Sequence, residues 1–174
     1  AKNFNQDISK WDTSKVTDMS GIFHGATIFD GNISNWNVER VTDLTRAFRK
    51  AEHFNGDLDP WNTERVTSLK RTFAFATNFN GNIDDWNTER VTTMENTFHH
   101  AESFNRALDG WNTERVTNMY ETFRATLVFT GDGIENWNVA KVTDMTKTFD
   151  WSREFNGDVS RWDVSRVENM FAMF

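Results

Sequence analysis

The chain has 174 residues, a formal net charge of −7, 37% hydrophobic and 14% aromatic residues, and no cysteine. The acidic balance argues against nucleic acid or an anionic membrane as partner, and no apolar run is long enough for a membrane span. Disulfides and thiolate-bound metals are excluded, the opening "AKNFNQ" does not read as a signal peptide, and with one Pro and nine Gly no linker or domain boundary stands out.

The first stretch, "FNQDISKWDTSKVTDMSGIF", returns almost unchanged from Phe54 and from Phe79. Tryptophan recurs at Trp11, Trp36, Trp61, Trp86, Trp111, Trp137 and Trp162, in steps of 25 with a single step of 26 after Phe129. Phenylalanine keeps the same beat in two columns, Phe4 to Phe155 before the tryptophans and Phe23 to Phe174 after them. A phrase repeated at fixed period describes architecture, not a catalytic motif. The aromatic columns are therefore expected to form one buried spine. Each aromatic removes roughly 150–250 Å² from water.

Within a repeat, the segment before the tryptophan carries an aliphatic residue flanked by polar ones (Ile8, Ile33, Leu58, Ile83, Leu108, Ile134, Val159). That pattern predicts a short strand stacked in parallel on its copies. Pro60, beside this column, limits the strand to a few residues. Gly31, Gly56, Gly81, Gly131 and Gly157 precede it and read as a corner, since a hairpin would need a second strand that the period does not supply. After the tryptophan, Val16, Met19, Ile22, Phe23 and Ala26 keep the spacing of one helix face about three turns long. The threonine after the valine suits an N-cap, and "TTME" from Thr92 fits a capping box. The sum is an α/β solenoid, leucine-rich-repeat-like, with about seven 25-residue turns, each with a short parallel strand and a short helix. Residues 1–174 form a single repeat domain, expected to be a segment of a longer array.

The offsets of Phe-Asn, Asp-Ile, Trp-Asp, Val-Thr-x-Met and Phe in "FNQDISKWDTSKVTDMSGIF" resemble the bacterial surface protein 26-residue repeat, grouped with BspA-like leucine-rich-repeat surface antigens. The resemblance covers essentially the whole chain. It implies a leucine-rich-repeat-like solenoid exposed at a cell surface or outside the cell, adhesion or host contact, and no catalysis. "WNTER" in the middle repeats departs from the usual Trp-Asp-Val-Ser, and Thr72, Thr97, Thr122 and Thr148 stand where the family often has Met.

Candidate chemistry is sparse. His24 and His99 lie three turns apart, too far for one metal, and His99 and His100 would diverge on a helix. No metal or cofactor is expected. The acidic or amide column Asp7, Asn32, Asp57, Asn82 and Asp158 suits either backbone hydrogen bonding at the corner or a calcium ladder, the first fitting its Asp/Asn mixture better. Glu39-Arg40, Glu64-Arg65, Glu89-Arg90 and Glu114-Arg115 form either a solvated edge or a charged strip for a partner. The column Gly25, Lys50, Phe75, His100, Ala125, Trp151 varies most. Its aromatics Phe75 and Trp151 are candidate partner anchors or local packing, with His99, His100 and Lys50 as polar rim. The expectation is a non-catalytic module for protein or glycan binding or adhesion. The alternative is a scaffold segment within a larger assembly, self-association included.

Overall fold

A computed structural model describes residues 1–174. Seven coils are stacked in register: 4–28, 29–53, 54–78, 79–103, 104–128, 129–154 and 155–174, named coil 1 to coil 7. The expected α/β solenoid is overturned. No coil contains a helix, and extended pairing shrinks to single parallel bridges along one column, Asp18–Asp43, Asp43–Ser68, Ser68–Thr93, Thr93–Asn118, Asn118–Asp144 and Asp144–Asn169.

The hydrogen bonds of coil 3 explain why the helix pattern fails. An α-helix sends every N–H to the carbonyl four residues back. Here alternate N–H groups leave the coil: Leu69, Arg71, Phe73 and Phe75 donate to the carbonyls of Thr93, Glu95, Thr97 and His99 in coil 4, at 3.2, 2.8, 2.9 and 2.7 Å. The intervening Thr72, Ala74 and Ala76 donate three residues back, to Leu69, Arg71 and Phe73. The segment is thus a chain of overlapping tight turns. Two residues per complete turn segment hold positive φ to make this possible, Arg71 (59°) and Phe75 (62°) in coil 3, with Arg46 and Lys50 or Asn96 and His100 in neighbouring coils. The left-handed region costs a non-glycine residue roughly 1–2 kcal/mol, offset here by the ladder bond that each such N–H gains. Chained turns and a helix both bring the chain back every three or four residues, so Leu69, Phe73 and Ala76 face inward under either scheme.

The expected strand is likewise a turn: each tryptophan N–H closes on the aliphatic carbonyl three residues back, as Trp86 on Ile83 at 3.2 Å. The threonines expected to cap helices pair between coils instead. Thr92 donates both its N–H (2.9 Å) and its hydroxyl (3.2 Å) to the Thr67 carbonyl, while Glu95 N–H bonds the Thr93 hydroxyl, so no capping box forms.

The core is aromatic and periodic. Trp36, Trp61, Trp86, Trp111, Trp137 and Trp162 are buried, and each indole N–H donates to the aliphatic carbonyl one coil back, from Trp36 on Ile8 to Trp162 on Ile134. Trp11 and Trp36, and the successive indoles from Trp61 to Trp162, lie parallel at 6.2–6.4 Å. The expected spine is corrected at two members: Trp11 is 59% and Phe174 69% exposed, because only one neighbouring coil stacks on each, through Trp36 and Phe149. The two phenylalanine columns stack beside the indoles, as in the Phe73–Phe79 pair at 3.9 Å. Thr72, Thr97, Thr122 and Thr148 are fully buried, their hydroxyls satisfied by carbonyls of their own and the preceding coil. The extra residue of coil 6 is taken up between Gly131 (φ 95°) and Gly133 (φ 85°). A Cβ on Gly133 would stand 2.5 Å from the Asp109 nitrogen, so the insertion tolerates only glycine there.

Candidate binding groove

The turn ribbon spends its inward positions on the core. Its outward positions hold residues that differ from coil to coil: Lys70, Arg71, Ala74 and Phe75 in coil 3, then Glu95, Asn96, His99 and His100 in coil 4. Because the coils stack in register, outward residues of adjacent coils meet. Arg49, Arg71, Ala74, Phe75, Asn96, His99, Tyr120 and Glu121 line an open groove of about 300 Å³ across coils 2 to 5.

A polar network forms its floor. Arg71 Nε donates to Asn96 Oδ1 (3.3 Å), and its Nη2 pairs with Glu95 Oε1 (3.1 Å), while Lys70 holds the other Glu95 oxygen, Oε2 (2.7 Å). With its oxygen fixed, Asn96 has only its NH₂ group to offer Glu121 Oε2 (2.8 Å) and His99 Nδ1 (2.8 Å). This assignment puts the proton of a neutral His99 on Nε2. His99 also lies 3.0 Å from Glu121 through Nδ1, a contact that favours the imidazolium. Burial outweighs it, aided by His100, Arg124 and Arg71, and lowers the His99 pKa to about 4. Arg124 anchors the far end, 3.6 Å from Glu121 and 2.8 Å from Asp150.

The opposite wall is cationic and only partly compensated. The one polar side chain bonded to Arg49 is His24, whose Nε2 lies 2.8 Å from Arg49 Nη1. Desolvation and the neighbouring Arg46 and Arg71 lower the Arg49 pKa, and desolvation followed by Arg49 lowers that of His24, which therefore accepts from Arg49 as a neutral ring.

The structure gathers four of the five residues singled out in the sequence. Phe75 is half-buried, stacked on His99 and His100 of the next coil (both 5.0 Å), with Arg49 (5.8 Å) and Lys50 (5.9 Å) of the preceding coil over its ring. The histidine rings do not diverge, as a helix would require; they stack at 4.8 Å. Trp151 stands apart in coil 6, 65% exposed. Sequence reasoning missed Arg49, Arg71, Asn96, Tyr120 and Glu121. Their signal was available: the ribbon columns Ser20, Thr45, Lys70, Glu95, Tyr120, then Gly21, Arg46, Arg71, Asn96, Glu121, and His24, Arg49, Ala74, His99, Arg124 vary as freely as the Phe75 column.

Elsewhere, Asp7, Asn32, Asp57 and Asp158 accept the N–H two residues on, the bond expected of that column, whereas Asn82 instead donates its amide to Asp59. The Glu-Arg strip is exposed and loosely paired, with Glu64–Arg65 at 3.8 Å and Glu114–Lys141 at 3.7 Å. No three His, Asp or Glu side chains converge as a metal cluster, and no helix is long and apolar enough to cross a membrane.

No curated protein and no solved structure matches the chain. A family model matches residues 1–111 and 97–174, which together cover the whole sequence, and its description is a Mycoplasma protein of unknown function, DUF285. The match is to this repeat family and not specifically to the BspA-like surface antigens, so adhesion and surface exposure remain proposals. The chain belongs to the DUF285 repeat family.

Proposed function

We propose that the chain is a non-catalytic binding module whose stacked coils hold a recognition face for a protein or glycan partner. One observation carries this reading: the inward columns are nearly invariant and committed to the aromatic core, while three variable columns, those of Arg71, Ala74 and Phe75, share the face that contains the groove. Its polar groups serve binding better than bond breaking. The Glu121 carboxylate is engaged by Asn96 and Arg124. Placement at a cell surface or in an extracellular assembly is part of the proposal and rests on the resemblance of the repeats to surface antigens.

Labelled protein on arrays of glycans and of acidic, basic and neutral peptides tests this. Specific binding by the native chain, lost in a Phe75→Ser and Arg71→Gln double variant that keeps the native fold, supports it. Turnover of a saccharide or peptide substrate by the native chain would overturn the non-catalytic assignment.

A further inference from the structure

We infer that the groove across coils 2 to 5 is a site for a carboxylated sugar residue, with Arg49 as the carboxylate ligand and the Arg71–Asn96–His99 floor and Tyr120 serving the hydroxyls. This rests on the binding-module reading above and narrows it to a ligand class.

Charge gives the first argument. In a chain of net charge −7, the groove wall joins Arg49 and Arg71, with Arg46 close enough to depress protonation of Arg49. Arg71 is satisfied by Glu95, whereas Arg49 has no carboxylate partner; a neutral imidazole takes one of its five N–H groups. A guanidinium with its fork open and like charges beside it gains from a planar oxyanion able to accept two parallel N–H bonds.

The floor gives the second. Glu121 is already held by Asn96 and Arg124, so it accepts without carrying an unpaired charge toward the anion. His99 lines the groove, and the network on Nδ1 leaves Nε2–H as a donor without a partner in the protein. Tyr120 adds a hydroxyl that can give or take a bond. A polyhydroxylated ring with one carboxylate matches this mixture.

Size and polarity decide against a peptide. A volume of about 300 Å³ is at the small end of ligand sites. Protein hot spots centre on an apolar pocket that takes a large aromatic or aliphatic anchor. The groove's large apolar ring, Phe75, already has the two histidines and the two cations against it, so it shapes the wall and leaves no apolar socket.

Isothermal titration of the folded chain with 3′-sialyllactose, a glucuronate-containing hyaluronan tetrasaccharide, lactose and an acidic hexa-glutamate peptide tests the assignment. At least one carboxylated saccharide is expected to bind at least tenfold more tightly than lactose and than the peptide. Arg49→Gln is expected to weaken that binding at least tenfold, Arg49→Lys to weaken it less, and Tyr120→Phe, which leaves the charge untouched, to weaken it severalfold. Arg90→Gln on the distant Glu-Arg strip should leave it unchanged. Lactose binding equally well, or Arg49→Gln binding as native, overturns the inference. Binding of the peptide alone sinks the sugar assignment and keeps the binding-module reading, whereas silence to all four probes and to the arrays sinks both.

Discussion

Replacing Trp86 tests the core where it is most repetitive. Its indole is 1% exposed, lies between Trp61 (6.3 Å) and Trp111 (6.4 Å), packs on Phe73 (5.9 Å), and donates to the Leu58 carbonyl at 2.9 Å. Trp86→Ala removes the ring from a stack whose neighbours are held by their own hydrogen bonds and cannot collapse inward, so the cost is about 3–5 kcal/mol. Within that, the lost indole hydrogen bond accounts for roughly 0.5–1.5 kcal/mol, because the Leu58 carbonyl keeps the Trp61 N–H. Trp86→Phe separates the two contributions: it keeps most of the apolar contact and loses the N–H, and is expected to cost roughly 1.5–3 kcal/mol. Urea unfolding followed by fluorescence reads both, since seven of the eight tryptophans remain. A loss below about 1 kcal/mol for Trp86→Ala would refute a core carried by the indole stack.

Two further outcomes follow from the backbone and from the groove. Arg46 is exposed with φ 60° and makes no side-chain hydrogen bond, so Arg46→Gly should be neutral or raise stability by up to about 1 kcal/mol in urea unfolding, whereas a helical residue there would lose about that amount. His99 has a pKa of about 4 in the folded chain against 6.5 when unfolded. Between those values the unfolded chain binds the extra proton, so the stability that neutral His99 contributes is complete above pH 6.5 and is lost as the pH falls toward 4. The stability difference between native and His99→Gln protein should therefore shrink from pH 7 to pH 4, and a difference independent of pH would show that His99 is not held neutral.

The periodicity, the aromatic spine and the inward columns were legible in the sequence because burial is read from spacing alone. The helix was misread because Met94, Phe98 and Ala101 keep helical spacing whether the intervening N–H groups close i→i−4 rings or alternate between tight turns and the next coil. The backbone angles distinguish the two, and residues such as Arg46, Arg71 and Glu121 give no sign of positive φ, although Gly21 and Asn96 in the same column are types that favour it. The Phe75–His99–His100 cluster was found through off-pattern aromatics. Arg49 and Tyr120 were not, because a charged or phenolic side chain in a variable column looks like ordinary solvent-facing surface until register brings it beside its neighbours from adjacent coils.

The absence of helix is the central structural claim, and through-hydrogen-bond scalar couplings measured by NMR test it directly. The stacked-coil arrangement predicts cross-peaks from the Phe73 amide nitrogen to the Thr97 carbonyl carbon and from the Phe75 amide nitrogen to the His99 carbonyl carbon. Cross-peaks to Leu69 and Arg71 instead, the carbonyls four residues back, would restore the helix and contradict the account.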